Sequence, residues 1–186
     1  MHTQDMVIEA LIEIPVGSRN KYEYDVTRQR IRLDRVLYAS IHYPTDYGFI
    51  PDTLAPDGDP LDILVLAEEP VFPGCLVAAR VLGVMQMRDM GQDDYKIVGV
   101  EHSDPRLSGL HELSDVAPHR LQEIETFFNT YKDLEGKRTE IIGWQGRAAA
   151  LPLIAQCRQA YQVRETGTSR WEVTPRDATY PRGHGE

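Results

Sequence analysis

From residue 6 to about residue 105, apolar positions recur every second residue in short runs broken by Gly, Pro and Asp. A period of two marks strands that bury one face and wet the other. VIEALIEI at 7–14 sets Ala10, Ile12 and Ile14 against Glu9, Leu11 and Glu13. KYEYDV at 21–26 sets Lys21, Glu23 and Asp25 against Tyr22, Tyr24 and Val26, and RIRLDRVLY at 30–38 puts Ile31, Leu33, Arg35 and Leu37 on one face. LDILVL, CLVAARVLGVMQM and YKIVGVE supply further strands. Gly83, inside the longest of them, marks a bend or bulge of the kind barrels need at their corners. Short strands of antiparallel appearance, without helices between them, predict a small closed or partly open barrel.

Helical spacing begins late. In APHRLQEIETFFNTYKDLEG, Pro118 suits a first helical position and Leu121, Ile124, Phe127, Phe128 and Tyr131 share a stripe, with Gly136 as the stop. A second helix is expected over about 149–163, with Leu153, Ile154, Cys157, Ala160 and Tyr161 inward and Pro152 in its first turn. The class is therefore α+β, mainly β, with helices in the C-terminal third. Periodicity fades from Glu165, so residues 1–164 read as one domain and 165–186 as a tail pinned by Trp171 and Tyr180.

Charge changes the picture in one respect. The chain of 186 residues carries 29 acidic against 20 basic side chains, a formal charge of -9, which argues against a nucleic-acid partner. A phosphate substrate stays open, because a bound cation reverses a local field. Cys75 and Cys157 lack C-x-x-C spacing and read as reduced thiols. The N-terminal segment has neither a basic start nor an apolar block, and no apolar run reaches spanning length, so a cytoplasmic location without membrane contact is expected.

The candidate chemistry sits in APDGDPLDILVL at 55–66, where Asp57, Asp59 and Asp62 crowd the mouth of an apolar strand. Like charges this close repel, and clustered carboxylates without His or Cys form a hard oxygen site suited to Mg²⁺, Mn²⁺ or Ca²⁺. An EF-hand loop fails, because Leu61 and Asp62 fall where an oxygen ligand and a glycine are needed and strands flank the loop. An aspartyl-nucleophile phosphatase of the D-x-D type fails too, because the apolar strand follows the motif instead of preceding it. A metal-activated phosphoryl-transfer site and a solvated Asp-Gly turn remain. Asp62, inside the apolar strand, favours the metal.

Other segments offer complementary groups. MRDMGQDDYK at 87–96 carries Asp89, Asp94 and Lys96 around a hairpin tip, and Lys21 and Glu23 share a strand face. Arg35 shares its face with Ile31, Leu33 and Leu37 and so needs an anionic partner, which a phosphate fits. Tyr43 and Tyr47 can donate to phosphate oxygens, and Tyr131-Lys132 closes the first helix.

In this order and spacing, the segments resemble the family I soluble inorganic pyrophosphatases. The heptad DGDPLDI at 57–63 matches that family's signature, and IEIP, KYEYD, LDRVLY, YPTDYGFIP, FPG and FFNTYKDLEGK extend the likeness over nearly everything but the tail. The resemblance implies a five-stranded OB-like barrel and Mg²⁺-dependent hydrolysis of pyrophosphate to two phosphates. Attack is by a metal-activated water without a covalent intermediate; several ions serve each site, and Mn²⁺ is a possible substitute. It implies metal ligation by Asp57, Asp62, Asp89, Asp94 and Glu23, with Asp59 as general base and Glu13 orienting the site. Lys21, Arg35, Tyr47, Lys96, Tyr131 and Lys132 would grip the phosphates, with Tyr43 buttressing the pocket. A homohexamer follows by analogy. Asp46, where many relatives have Asn, would add charge near the pocket mouth. The competing class is a barrel-type binding module with only a structural cation site. Four converging cations, Lys21, Arg35, Lys96 and Lys132, would argue against it.

Overall fold

In the computed structural model, which describes residues 6–167, the order is β1 (Val7–Ile14), β2 (Asn20–Asp25), β3 (Arg30–Val36), β4 (Asp46–Phe49), β5 (Asp62–Leu66), β6 (Leu76–Asp89), β7 (Gln92–Glu101), α1 (Pro118–Thr130), β8 (Thr139–Gly146) and α2 (Arg147–Gly167). β1 pairs with β4, β4 with β5, β5 with β7, β7 with β6, and β6 returns to β1. This ring is the expected five-stranded OB-like barrel. β8 lies outside it, along the second half of β6 from Gly83 to Asp89. β2 and β3 form a separate hairpin.

The pairing is antiparallel except between β5 and β7, which run parallel; the antiparallel appearance is corrected there. β6 intervenes in the chain and reverses direction, so the strands it joins end side by side in one direction. Gly83 does mark a bulge, where the register of β6 against β7 shifts between Val81 and Gly83. A Cβ there would lie 2.4 Å from the Gln145 carbonyl oxygen and from the Leu113 side chain, so only glycine lets β8 close on the bend.

β5 buries both faces, which explains its unbroken apolar run. Leu64 and Leu66 join Met87, Val98 and the α1 residues Phe127 and Phe128 in one cluster. Ile63 and Val65 join Ile12, Val81, Ile97 and the α2 residues Ile154 and Cys157 in the other. Each such side chain contributes roughly 1.5–3 kcal/mol.

Several expectations need correction. β4 and β8 escape the alternation pattern, because β4 has four residues with Gly48 among them and β8 is interrupted at Gly143 by a register shift against β6. α1 begins at Pro118 as expected but ends at Thr130, and Gly136 closes a separate 3-10 turn, Asp133–Glu135. α2 starts at Arg147, so Pro152 lies inside it, and it continues through residues 165–167, which the sequence assigned to the tail. Trp171 and Tyr180 lie outside the described residues. Leu33 is 52% exposed, and the extra residue Asp34, where β3 shifts against β2, takes Arg35 off the face that Leu33 occupies. Among the described residues, no helix is long and apolar enough to cross a membrane.

Candidate active site

Register assembles the site. Asp62, first residue of β5, stands beside Lys96 of β7 and opposite Phe49 of β4. Alternation then puts Tyr47, two residues from Phe49, and Asp94, two from Lys96, on the same face. Asp89 and Gln92 bracket a two-residue turn at Met90 and Gly91, whose φ values of 52° and 84° suit a type I′ hairpin. That places Asp89 near Asp94. On β1, the register against β4 shifts between Ile12 and Ile14, and the extra residue is Glu13. A bulge re-aims its side chain, and Glu13 faces the same cavity.

The cavity measures about 400 Å³ and is lined by seven carboxylates, from Glu13, Glu23, Asp57, Asp59, Asp62, Asp89 and Asp94, against three lysines, Lys21, Lys96 and Lys132. Tyr47 and Tyr131 also line it. The aspartate loop is held from behind: buried Thr53 accepts the Leu61 N–H at 2.8 Å and donates to the Ile50 carbonyl at 2.6 Å. Asp57 Oδ1 accepts the Asp59 N–H at 3.1 Å.

Lys96 is the electrostatic centre. Its side chain is 3% exposed, with Nζ 2.6 Å from Asp62, 3.0 Å from Asp94 and 3.2 Å from the Tyr47 hydroxyl. Burial would lower its pKa, but the two carboxylates outweigh burial and hold it above the usual lysine value. Tyr47 donates to Asp62, and burial followed by the Asp62 charge raises the phenol well above its ordinary pKa. Lys132 pairs with Asp89, and Lys21 with Glu23.

Burial, then the charges of Asp57 and Asp62, raises the Asp59 carboxyl. Asp94 is raised chiefly by burial, against the pull of Lys96. Glu13 is pushed up to about 7 by burial, although it accepts the Tyr24 N–H at 2.6 Å.

The structure thus brings every sequence-expected site residue to one cavity except Arg35 and Tyr43. Tyr43 is 3% exposed and packs behind Tyr47, with ring centroids 5.7 Å apart, as a buttress would. Arg35 lies outside the cavity lining and is held by Asp34 at 2.6 Å and Glu135 at 2.8 Å, so the protein supplies anionic partners for two of its three nitrogens. Of the four cations expected to converge, three do. Asp46 is corrected as well: it is 1% exposed, away from the cavity lining, and accepts the Val16 N–H at 2.7 Å. The sequence reading missed Tyr22, Tyr24, Val26 and Phe49 as lining residues. The aromatic alternation of Tyr22 and Tyr24 was visible, but all of β2 is half-buried, and both of its faces contribute to the cavity.

Among the described residues, no three acidic, histidine or cysteine side chains are arranged as a ready ion-binding group. The donor set nevertheless fits a hard divalent cation: it is all oxygen, it exceeds its lysines in number, and Asp89 Oδ1 is buried without a hydrogen-bond partner.

Comparison with known proteins supplies independent findings. The family model described as Inorganic pyrophosphatase matches residues 10–162. The chain is 50% identical over 161 residues to the inorganic pyrophosphatase of Geobacillus stearothermophilus, covering 87% of this chain and 98% of the relative. It is 52% identical over 156 residues to that of Synechocystis, covering 84% and 92%. The crystal structure of inorganic pyrophosphatase from Thermus thermophilus superposes with a TM-score of 0.82 at 45% identity, covering 87% of this chain and 94% of that one.

Proposed function

Because the chain belongs to the inorganic pyrophosphatase family, we propose that it hydrolyses inorganic pyrophosphate to two phosphates in the cavity at the mouth of β5. The observation that carries this reading is the charge of the wall, seven carboxylates facing three lysines in about 400 Å³. Such a wall repels a polyanion unless divalent cations enter with it, and the lysines are then free to take phosphate oxygens. Asp57, Asp62, Asp89, Asp94 and Glu23 would hold Mg²⁺, preferred for the hard oxygen donors, with Mn²⁺ a possible substitute. When bound, such ions neutralise phosphate charge and make a water easier to deprotonate.

The residues do the rest. Asp59 takes the proton of the attacking water; its raised carboxyl binds that proton more readily than a free aspartate does. The water oxygen forms the new bond to phosphorus while the bridging oxygen departs on the second phosphate. Lys21, Lys96 and Lys132 meet the charge that develops on the oxygens. Tyr47 and Tyr131 stay protonated as donors, because burial raises both phenols. Glu13, near neutrality, orients the wall through the Tyr24 backbone.

Phosphate release from pyrophosphate in Mg²⁺ is the test. It should vanish with chelator and fall at least about a hundredfold in Asp59→Asn, the scale of a lost general base. Retained turnover in Asp59→Asn would remove that assignment, and comparable turnover of nucleotides or phosphate monoesters would indicate a broader phosphatase. We extend the proposal to a cytoplasmic homohexamer: both cysteines are unpaired, and large apolar side chains such as Phe72 (72%) and Leu134 (68%) are exposed.

A further inference from the structure

Glu135 stands outside the cavity wall, in the 3-10 turn that follows Tyr131 and Lys132. Its side chain is 6% exposed, and one oxygen accepts from Arg35 Nε at 2.8 Å. Lys137 Nζ lies 3.6 Å from the other oxygen. A carboxylate so buried is stable only while paired.

The two ends of the Arg35–Glu135 pair belong to segments that line different parts of the pocket. Arg35 lies on the β2–β3 hairpin, which contributes Lys21 and Glu23 to the cavity. Glu135 lies on the turn that begins with Tyr131 and Lys132, where the Glu135 and Lys137 N–H groups both bond the Lys132 carbonyl. The ion pair is therefore a strut between two phosphate-facing segments. It also fixes the arginine: Nε is spent on Glu135 and one terminal nitrogen on Asp34 at 2.6 Å. The other terminal nitrogen is buried without a hydrogen-bond partner. Buried donors are nearly always satisfied, so a guanidinium clamped at two nitrogens with the third unspent is a group held ready for an anion.

We infer that Glu135 is a positioning residue for substrate binding, acting through Arg35; this rests on the proposal that the pocket takes pyrophosphate. Glu135 itself touches no substrate. Its loss should therefore weaken the grip on the anion and spare the proton transfer at Asp59.

The experiment compares KM and kcat for pyrophosphate in Mg²⁺ across wild type, Glu135→Gln, Glu135→Asp, Arg35→Ala and the Glu135→Gln/Arg35→Ala double variant, with melting curves of each. Losing one charge-assisted hydrogen bond should raise KM about tenfold in Glu135→Gln with kcat unchanged. Glu135→Asp should recover part of the shift, and the Gln change should add nothing once Arg35 is gone. A lower melting temperature with unaltered KM, or a KM shift of the same size without Arg35, overturns the inference. Should Glu135→Gln fail to fold, the same comparison with Glu135→Asp decides it. Wild type that turns over pyrophosphate alongside an indifferent Glu135→Gln sinks this inference alone. Wild type that releases no phosphate sinks the proposed function, and this inference with it.

Discussion

Lys96 balances two carboxylates of the site at once, Asp62 and Asp94. Removing it leaves Asp62 and Asp94 facing each other in a partly buried wall. Lys96→Met should lower stability by about 3 kcal/mol, the low end of the cost of breaking a buried ion pair, because both partners retain some exposure. Urea unfolding in chelator measures this, and Mg²⁺ should shrink the loss by replacing the missing charge. Asp46 makes the opposite case. Burial raises its carboxyl above the ordinary aspartate value, against the opposing Val16 and Val71 N–H groups. A carboxyl raised by folding holds its proton more tightly folded than unfolded. Its contribution is therefore fully present below the ordinary value and declines as pH climbs through the folded one. Asp46→Asn removes that decline, so its stability advantage over wild type should grow as pH rises from about 4, the ordinary aspartate range. Urea midpoints taken across pH check this, and a gap that stays constant would contradict it.

Among the elements, the aspartate loop at 55–62 and the hairpin tip at 89–95 bring together carboxylates that repel one another. Thr53 and the I′ turn hold the backbone, but nothing in those anchors lessens the repulsion. Backbone amides in both segments should exchange hydrogen more slowly in Mg²⁺ than in chelator, while those of β5 stay protected in both. Equal exchange in the two conditions would mean that the carboxylates are balanced by the lysines alone. These elements were also the easiest to find. DGDPLDI announces itself because the charges are neighbours in sequence. β4 and β8 do not, because four residues, or eight broken at Gly143, give too few periods to register. Arg35 was placed on an apolar face because alternation was counted straight through Asp34, the extra residue where β3 shifts against β2.

For the whole molecule, closure of β6 onto β1 removes the open edges of the barrel, and α1 and α2 each seal one cluster of the core. What stays exposed includes Val26, Tyr38, Phe72 and Leu134. Light scattering should return a mass near six times the 21.1 kDa chain. A monomeric mass would leave those side chains as ordinary surface.

Barrel class, late helices and the aspartate cluster could all be read from the chain, because period, charge and turn chemistry are carried by residues a few positions apart; that Lys21, Lys96 and Lys132 face the cluster was implied only by the family resemblance. The parallel seam between β5 and β7, the bulge that aims Glu13 and the pairing of Arg35 with Glu135 could not. Each depends on how segments far apart in sequence meet: the first two follow from closing the barrel, the third from the packing of the separate β2–β3 hairpin against the turn after α1, and no local pattern records either.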